Sequence, residues 1–302
     1  MVSAPDTELS SVKEALSAAF DALHAAGVED PRLDTEVLLA EATGWDRARI
    51  AAFPEAGVPA AAGRRFGETV RRRLRREPVA YILGRKGFRH IELAVDRRVL
   101  IPRPETELLV EVALELAPRR VLDAGTGSGA VALAIAAELP ACEVTATDTS
   151  PAALEVARAN AERFGLMERV KLVEGTLPPG PGEFDLVVAN LPYVSEAEWE
   201  GLEPEVTQWE PPEALLAGRD GLDAIRTFLN RCVRRYDRIA ERSANGPALD
   251  TGTPALDTQA LALEVGAGQA PAVRDMLAAA GFDAVETRLD LAGIERVVWG
   301  RR

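Results

Sequence analysis

Residues 120–137 constrain the fold of this chain more than any other stretch. Arg120-Val121-Leu122-Asp123-Ala124 reads as a short buried strand, Gly125-Thr126-Gly127-Ser128-Gly129 as a turn, and Ala130 to Ala137 as an apolar helix. A glycine turn between strand and helix lets a ligand approach the backbone closely. From Pro104 onward, helices alternate with strands around Val121, Val144, Val170 to Val173, Leu186, Leu261 to Val265, Val285 and Val297 to Trp299. Seven strands in that pattern predict an α/β fold with a doubly wound, mostly parallel sheet. The last pair, around Gly293, reads as antiparallel.

Two acids and one tetrapeptide add chemistry to this frame. Asp123 lies inside the first strand end, where it can take an amino group carried by a nucleoside ligand. Glu143 to Asp148 reads as the next strand, and its terminal acid can hold a ribose diol through two charge-assisted hydrogen bonds. The apolar run Phe184 to Ala189 reads as a buried strand ending at Asn190, and Pro192 stops its ladder. Asn190-Leu191-Pro192-Tyr193 therefore stands at the carboxyl end of a strand, where open α/β sheets bind ligands. The Asn190 side-chain oxygen and a nearby carbonyl can accept the two hydrogens of a substrate –NH2 group, while Tyr193 can cover the same spot with its ring face.

These residues leave several readings open. Gly125, Gly127 and Ala130, with Asp148 about 20 residues on, also fit a dinucleotide fingerprint and hence a nicotinamide dehydrogenase. Against that, a dinucleotide lacks the amino-acid amino group that would occupy Asp123, and the Asn190 tetrapeptide has no task in hydride transfer. A plain strand followed by a proline turn, in a non-catalytic binding module, is the remaining alternative.

Asp123-Ala124-Gly125-Thr126-Gly127-Ser128-Gly129, Asp148 and Asn190-Leu191-Pro192-Tyr193 resemble the first, second and fourth motifs of S-adenosylmethionine-dependent amino-methyltransferases. Glu77 to Gly84, Gly87-Phe88 and Leu100-Ile101-Pro102-Arg103-Pro104-Glu105-Thr106-Glu107 narrow the resemblance to the peptide chain release factor glutamine methyltransferases. Asp34 to Leu39, Glu210 to Leu215 and Gly218 to Leu222 match that family too, and the likeness resumes near Leu261. The resemblance implies a Rossmann-like seven-stranded methyltransferase domain, preceded by a small N-terminal helical bundle and a β-hairpin linker. It implies S-adenosyl-L-methionine as cofactor, no metal, and a glutamine side-chain amide of a release factor as substrate. Asn190, Leu191 through its carbonyl, Pro192 and Tyr193 would then be catalytic. Asp123, Gly125, Thr126, Gly127, Ser128, Gly129, Asp148, Leu177, Asn190 and Arg103 would contact the cofactor, with the Arg103 loop lying over it. Leu191 stands where the family usually has Pro. Adenine methyltransferases acting on RNA also carry Asn-Leu-Pro-Tyr, which keeps an adenine-amino substrate as the alternative. Thr176-Leu177 replaces an acid and an aromatic that usually border the adenine, so Leu177 is expected to pack against that ring. The family's Gly-Gly turn before the fifth strand is missing; residues 236–259 read as a surface insertion in its place.

Composition bounds the partners. The chain has 302 residues, enough for two domains, and 47% of them are hydrophobic. Its net charge of −13 comes from 35 basic and 48 acidic side chains. A surface this acidic lacks the cation excess that releases counterions from phosphate backbones, so nucleic acid is not expected as substrate. The run Arg64, Arg65, Arg71, Arg72, Arg73, Arg75 and Arg76 reads as a solvated helix face or a contact surface for an acidic partner. Cys142 and Cys232, like His24 and His90, stand isolated, with no metal spacing and no disulfide framework. The N-terminus lacks a secretion signal and no apolar run approaches membrane-spanning length, so a cytoplasmic protein is expected.

Along the chain, three regions are expected. Residues 1–83 read as the helical substrate-recognition bundle, with one face through Val12, Ala15, Leu16, Ala19, Phe20 and Leu23, a second through Leu33, Val37, Leu38 and Ala42, and a basic third helix. Residues 84–103 read as the hairpin linker and 104–302 as the methyltransferase domain. Pro178 to Gly182 reads as a loop.

Overall fold

The computed structural model describes residues 10–178, 182–233 and 256–302. The chain divides into two compact units, Met1–Gly84 with Glu203–Trp209, and Arg85–Leu202 with Glu210–Arg302.

The first unit is helical: α1 (Val12–Ala25), α2 (Pro31–Thr43), α3 (Arg47–Ala52), α4 (Ala60–Leu74) and α5 (Val79–Leu83). Ser11 opens α1 through a capping box with Glu14, and Gly44 closes α2 in the left-handed conformation. Leu23, Leu38, Leu39, Ile50, Phe66 and Val70 meet in its core. Three expected core residues lie outside it: Val37, which is half-buried, and the exposed Leu33 and Phe20. Leu33 is 42% exposed, because the buried stripe of α2 runs through Thr35, Leu38, Leu39 and Ala42 on the opposite face. Phe20 is 37% exposed and stacks on His24.

The arginine run is not a uniform surface. Arg73 is buried and pairs with Asp34 and Glu205, each at 2.6 Å. Arg76 pairs with Glu203 and Glu205, and Arg72 with Glu77. These three are neutralised within the unit, which leaves Arg64, Arg65, Arg71 and Arg75 as exposed members of the run.

The second unit opens with the hairpin β1 (Arg85–Phe88) and β2 (Ile91–Ala94), then a 3-10 turn (Pro104–Thr106) leading into α6 (Glu107–Leu116). The elements that follow are β3 (Arg120–Ala124), α7 (Ala130–Glu138), β4 (Glu143–Asp148), α8 (Pro151–Arg163), β5 (Val170–Glu174), β6 (Gly182–Ala189), a short α9 (Glu196–Trp199), α10 (Pro204–Trp209, clustered with the first unit), α11 (Asp223–Val233), β7 (Leu256–Glu264), α12 (Ala270–Ala279), β8 (Asp283–Leu289) and β9 (Glu295–Arg301). The strands form one seven-stranded sheet in the order β5-β4-β3-β6-β7-β9-β8. β3 to β7 are parallel, and β9 runs antiparallel to both β7 and β8. The expected Rossmann-like seven-stranded sheet is thus present, antiparallel edge included. Of the expected insertion at 236–259, residues 236–255 lie outside the described residues, and Leu256 to Gln259 begin β7. Pro179 to Pro181 of the expected loop also lie outside them, and Gly182 opens β6.

This order decides where a site can form. The chain leaves β3 towards β4 and β5, then crosses back to place β6 on the other side of β3. That reversal is a topological switch point, where crevices open beyond the carboxyl ends of strands. Register does the rest. Ala124 pairs with Ala189, and Ala189 with Leu263. One residue on, Gly125, Asn190 and Glu264 stand in a row at the ends of three adjacent strands.

Candidate active site

A cavity of ≈ 520 Å³ opens at this switch point. Its wall is built from the glycine turn after β3, the end of β4, Gly175 and Thr176 after β5, Asn190 to Pro192 after β6, the loop before α6, and one face of α11. The volume is within the usual ligand-site range of about 300–1,000 Å³.

Asp123 lies on the floor. Its Oδ2 accepts from the Thr126 hydroxyl at 2.7 Å and from the Ala132 amide at 3.1 Å. Only 1% of the residue is exposed, and burial pushes its carboxyl up to about 6, with the Asp148 charge adding to the rise. No cation pairs with it among the described residues. A buried carboxylate on a cavity floor without a counter-charge is chemically suited to a ligand ammonium group. Asp148 stands at the cavity edge on β4. Its Oδ2 accepts from the Gly127 amide and its Oδ1 from the Ser150 amide, both at 2.9 Å. This pins the glycine turn to β4 and leaves further lone pairs for a diol.

Gly125 is required by close approach. Its φ of 77° is left-handed, and a Cβ there would sit 3.2 Å from the Asn190 carbonyl oxygen. A side chain at this point would both strain the left-handed backbone and crowd the Asn190 segment. A Cβ at Gly127 would meet nothing within 4 Å. Thr126, Gly127 and Ser128 line the cavity, whereas Gly129 caps α7 and packs over Leu133. The donor set and cradle fit an amino-acid-bearing nucleoside such as S-adenosylmethionine.

Asn190 is held by one bond. Its Nδ2 donates to the Thr106 hydroxyl at 3.1 Å, so Oδ1 is the pole left to accept. Leu191 and Pro192 also line the cavity. Tyr193 does not. Its hydroxyl donates to Glu264 Oε1 at 3.2 Å, and its carbonyl accepts from Gln269 Nε2 at 2.9 Å. Pro192 turns the chain, and the buried Glu264 captures the phenol, so Tyr193 stands beside the cavity wall rather than lining it. Leu177 likewise packs against the core beside β6 and β7, and its neighbours Gly175 and Thr176 take the cavity wall instead. Arg103 lines the cavity, with its guanidinium on the buried Glu210. Glu210 also accepts from the Ile101 amide at 2.9 Å and so fixes the loop before α6.

Several of these residues carry no role in the sequence reading. Glu264 gave a usable signal, since it ends an apolar strand as Asp123 and Asp148 do. Gln269, Phe228 and Arg231 gave none. Arg231 donates to the Thr176 hydroxyl at 3.0 Å across the cavity wall. No cluster of metal-ligating side chains occurs among the described residues.

Residues 14–84 match the model of the PrmC N-terminal domain, and residues 121–209 match a methyltransferase domain. Among solved structures, the hMettl16 catalytic domain in complex with the MAT2A 3'UTR hairpin 6 shares the fold, with a TM-score of 0.50 at 16% identity over 69% of this chain and 75% of that one. The release factor glutamine methyltransferase of Geobacter sulfurreducens is 41% identical over 91% of both chains. That of Caulobacter vibrioides is 39% identical over 95% of both. With such identity over nearly its whole length, the chain belongs to the release factor glutamine methyltransferase family.

Proposed function

We propose that this protein methylates the side-chain amide nitrogen of a glutamine in a peptide chain release factor, in the cytoplasm, and does not act on nucleic acid. It is an S-adenosylmethionine-dependent methyltransferase. The observation that carries the substrate reading is Asn190. Its amide is oriented by Thr106 with the acceptor pole free, beside a glycine turn and a buried carboxylate that suit the cofactor.

When bound, S-adenosylmethionine would supply an electrophilic methyl carbon for the new C–N bond, its sulfur keeping the electron pair of the broken C–S bond. The chain's task is to prepare that nitrogen. An amide nitrogen shares its lone pair with its carbonyl and attacks poorly. Asn190 Oδ1 and the Leu191 carbonyl would accept its two hydrogens, orient it, and stabilise the positive charge that grows on it. Fixing both reactants in one cavity contributes on the order of 7–11 kcal/mol. Asp123 would hold the cofactor's ammonium and Asp148 its ribose. The leaving proton passes to water.

Mass spectrometry of a release factor incubated with the protein and S-adenosylmethionine tests this reading. A gain of one CH2 on a single glutamine is expected. Asn190→Ala should abolish that gain while leaving cofactor affinity within about threefold, because Asn190 grips the target and not the cofactor's charged ends. A methylated RNA with an unmodified release factor would overturn it.

A further inference from the structure

Just past Leu191 and Pro192, the Tyr193 carbonyl meets a side-chain amide from the turn after β7. Gln269 Nε2 donates to that oxygen at 2.9 Å and lies 3.5 Å from the Asp220 carbonyl oxygen, while Gln269 Oε1 accepts from the Gly266 amide at 2.8 Å. Backbone groups on both sides thus settle which end of the carboxamide is which, since an N–H needs the oxygen and a carbonyl needs the NH2. Gln269 stands at the N-cap of α12, yet its side chain makes no capping bond to that helix. Its polar atoms are spent on the segment that carries Asn190 instead. The fit is tight. Gly221 is left-handed, with φ 74°, and a Cβ there would lie 2.2 Å from the Tyr193 carbonyl oxygen and 2.6 Å from Gln269 Nε2.

We infer that Gln269 is a positioning residue that holds the Leu191 carbonyl and the Asn190 side chain where they can grip the target amide. This rests on the glutamine-amide reading above. Gln269 does not line the cavity, so it acts through the chain and not on either reactant. The argument is one of a short tether between two anchors. Asn190 follows the end of the β6 ladder, where Ala189 pairs with Leu263. At the other end, Tyr193 is tied by its carbonyl to Gln269 and by its hydroxyl to Glu264 at 3.2 Å. The next amide, Val194, donates to the Leu215 carbonyl at 2.8 Å. Only Leu191 and Pro192 lie between Asn190 and Tyr193. Proline fixes φ at about −65°, and the residue before a proline is kept to extended conformations. With so few free torsions, a shift of the Tyr193 carbonyl is passed back to the Leu191 carbonyl. Gln269 holds the backbone itself, whereas Glu264 holds only the tip of a side chain that can rotate.

The test uses the full chain with Gln269→Met and Gln269→Glu. Methionine keeps the length and loses both bonds. An ionised glutamate keeps an acceptor for Gly266 but turns a lone pair towards the Tyr193 carbonyl, acceptor against acceptor; only its protonated form donates again. At about pH 8 both variants should lower kcat about 10- to 100-fold, the size expected when reacting groups are displaced by about 1 Å. Cofactor Kd should stay within about threefold, because the clamp serves the target amide and not the cofactor. Relative to the unsubstituted protein at the same pH and saturating cofactor, Gln269→Glu should recover several-fold by about pH 6, since half-burial against two carbonyl oxygens raises its carboxyl above the ordinary value of about 4.3. Gln269→Met should show no such recovery. A second measurement needs no turnover: amide hydrogen exchange of residues 190–194. It should speed up in both variants at about pH 8 while exchange in β3 stays as slow as before, which separates a loosened grip from general unfolding.

Unchanged kcat in Gln269→Met, equal loss of kcat and cofactor affinity, or exchange at 190–194 that ignores the substitution would each overturn the inference. A protein that leaves release factors unmodified while exchange at 190–194 still follows Gln269 would refute the substrate and keep the clamp.

Discussion

Asp123 offers the most direct quantitative test of the site, through the pH dependence of cofactor binding. Its carboxyl is buried beneath the glycine turn, receives two hydrogen bonds and faces no cation among the described residues, and burial raises it from an ordinary 3.8 to about 6. Without ligand, the folded protein therefore keeps a proton that the unfolded chain releases between those two values. The sign follows: stability falls as pH rises from about 4 to about 6, by about 3 kcal/mol at about 1.4 kcal/mol per pH unit, and stays at the lower level above. An ammonium group placed against Asp123 reverses the preference and favours the ionised form. If only that form binds the cofactor, Kd at pH 5 is about tenfold weaker than at pH 7, and close to one proton is released on binding at pH 5. Stopping at pH 7 keeps the ligand's own amino group protonated, since α-amino groups titrate near about 8. Isothermal titration in two buffers of different ionisation enthalpy reads both the affinity and the proton count. Asp123→Asn should bind weakly at every pH and show a flat profile. Affinity that rises on acidification, or an unchanged slope in Asp123→Asn, would refute the assignment of Asp123 to the ammonium.

Asp148→Ala should weaken cofactor binding by about 1–3 kcal/mol, because a ribose diol is left unpaired and the Gly127 amide loses its acceptor; an unchanged Kd in the same titration would remove Asp148 from the site. Gly125→Ala should cost about 1–2 kcal/mol of stability from the left-handed backbone and lower kcat further, since the new methyl presses on the Asn190 carbonyl at 3.2 Å; full activity at reduced Tm would separate the turn from the site. Arg73→Ala should destabilise the helical unit by about 3–5 kcal/mol, leaving Asp34 and Glu205 without their buried partner; a melting curve that does not move would show the network to be unimportant.

Much of this could be read from local pattern. The glycine turn after an apolar strand located Asp123 and Gly125, and the strand that follows located Asp148. The Asn190 tetrapeptide marked a third strand end. Such readings succeed because period-two and helical spacings report which face is buried, and a polar residue ending an apolar run must stand at a strand tip. They fail where burial is decided by a neighbour distant in sequence. Leu33 has helical spacing but lies opposite the stripe that α2 buries. Leu177 and Tyr193 sit beside cavity-lining residues yet turn away from the cavity, one into the core and the other onto Glu264.

By itself, then, the amino-acid order determined that strands and helices alternate, where the glycine turn falls, and which carboxylates and amide end the strands. Tertiary structure alone decided the company each of those groups keeps. Thr106 and Asn190, like Tyr193 and Glu264, are far apart along the chain and share no spacing that a local pattern could reveal. Asn190 and Glu264 come side by side because β6 pairs with β7 in register, and a hydrogen bond depends on the few ångströms that register sets.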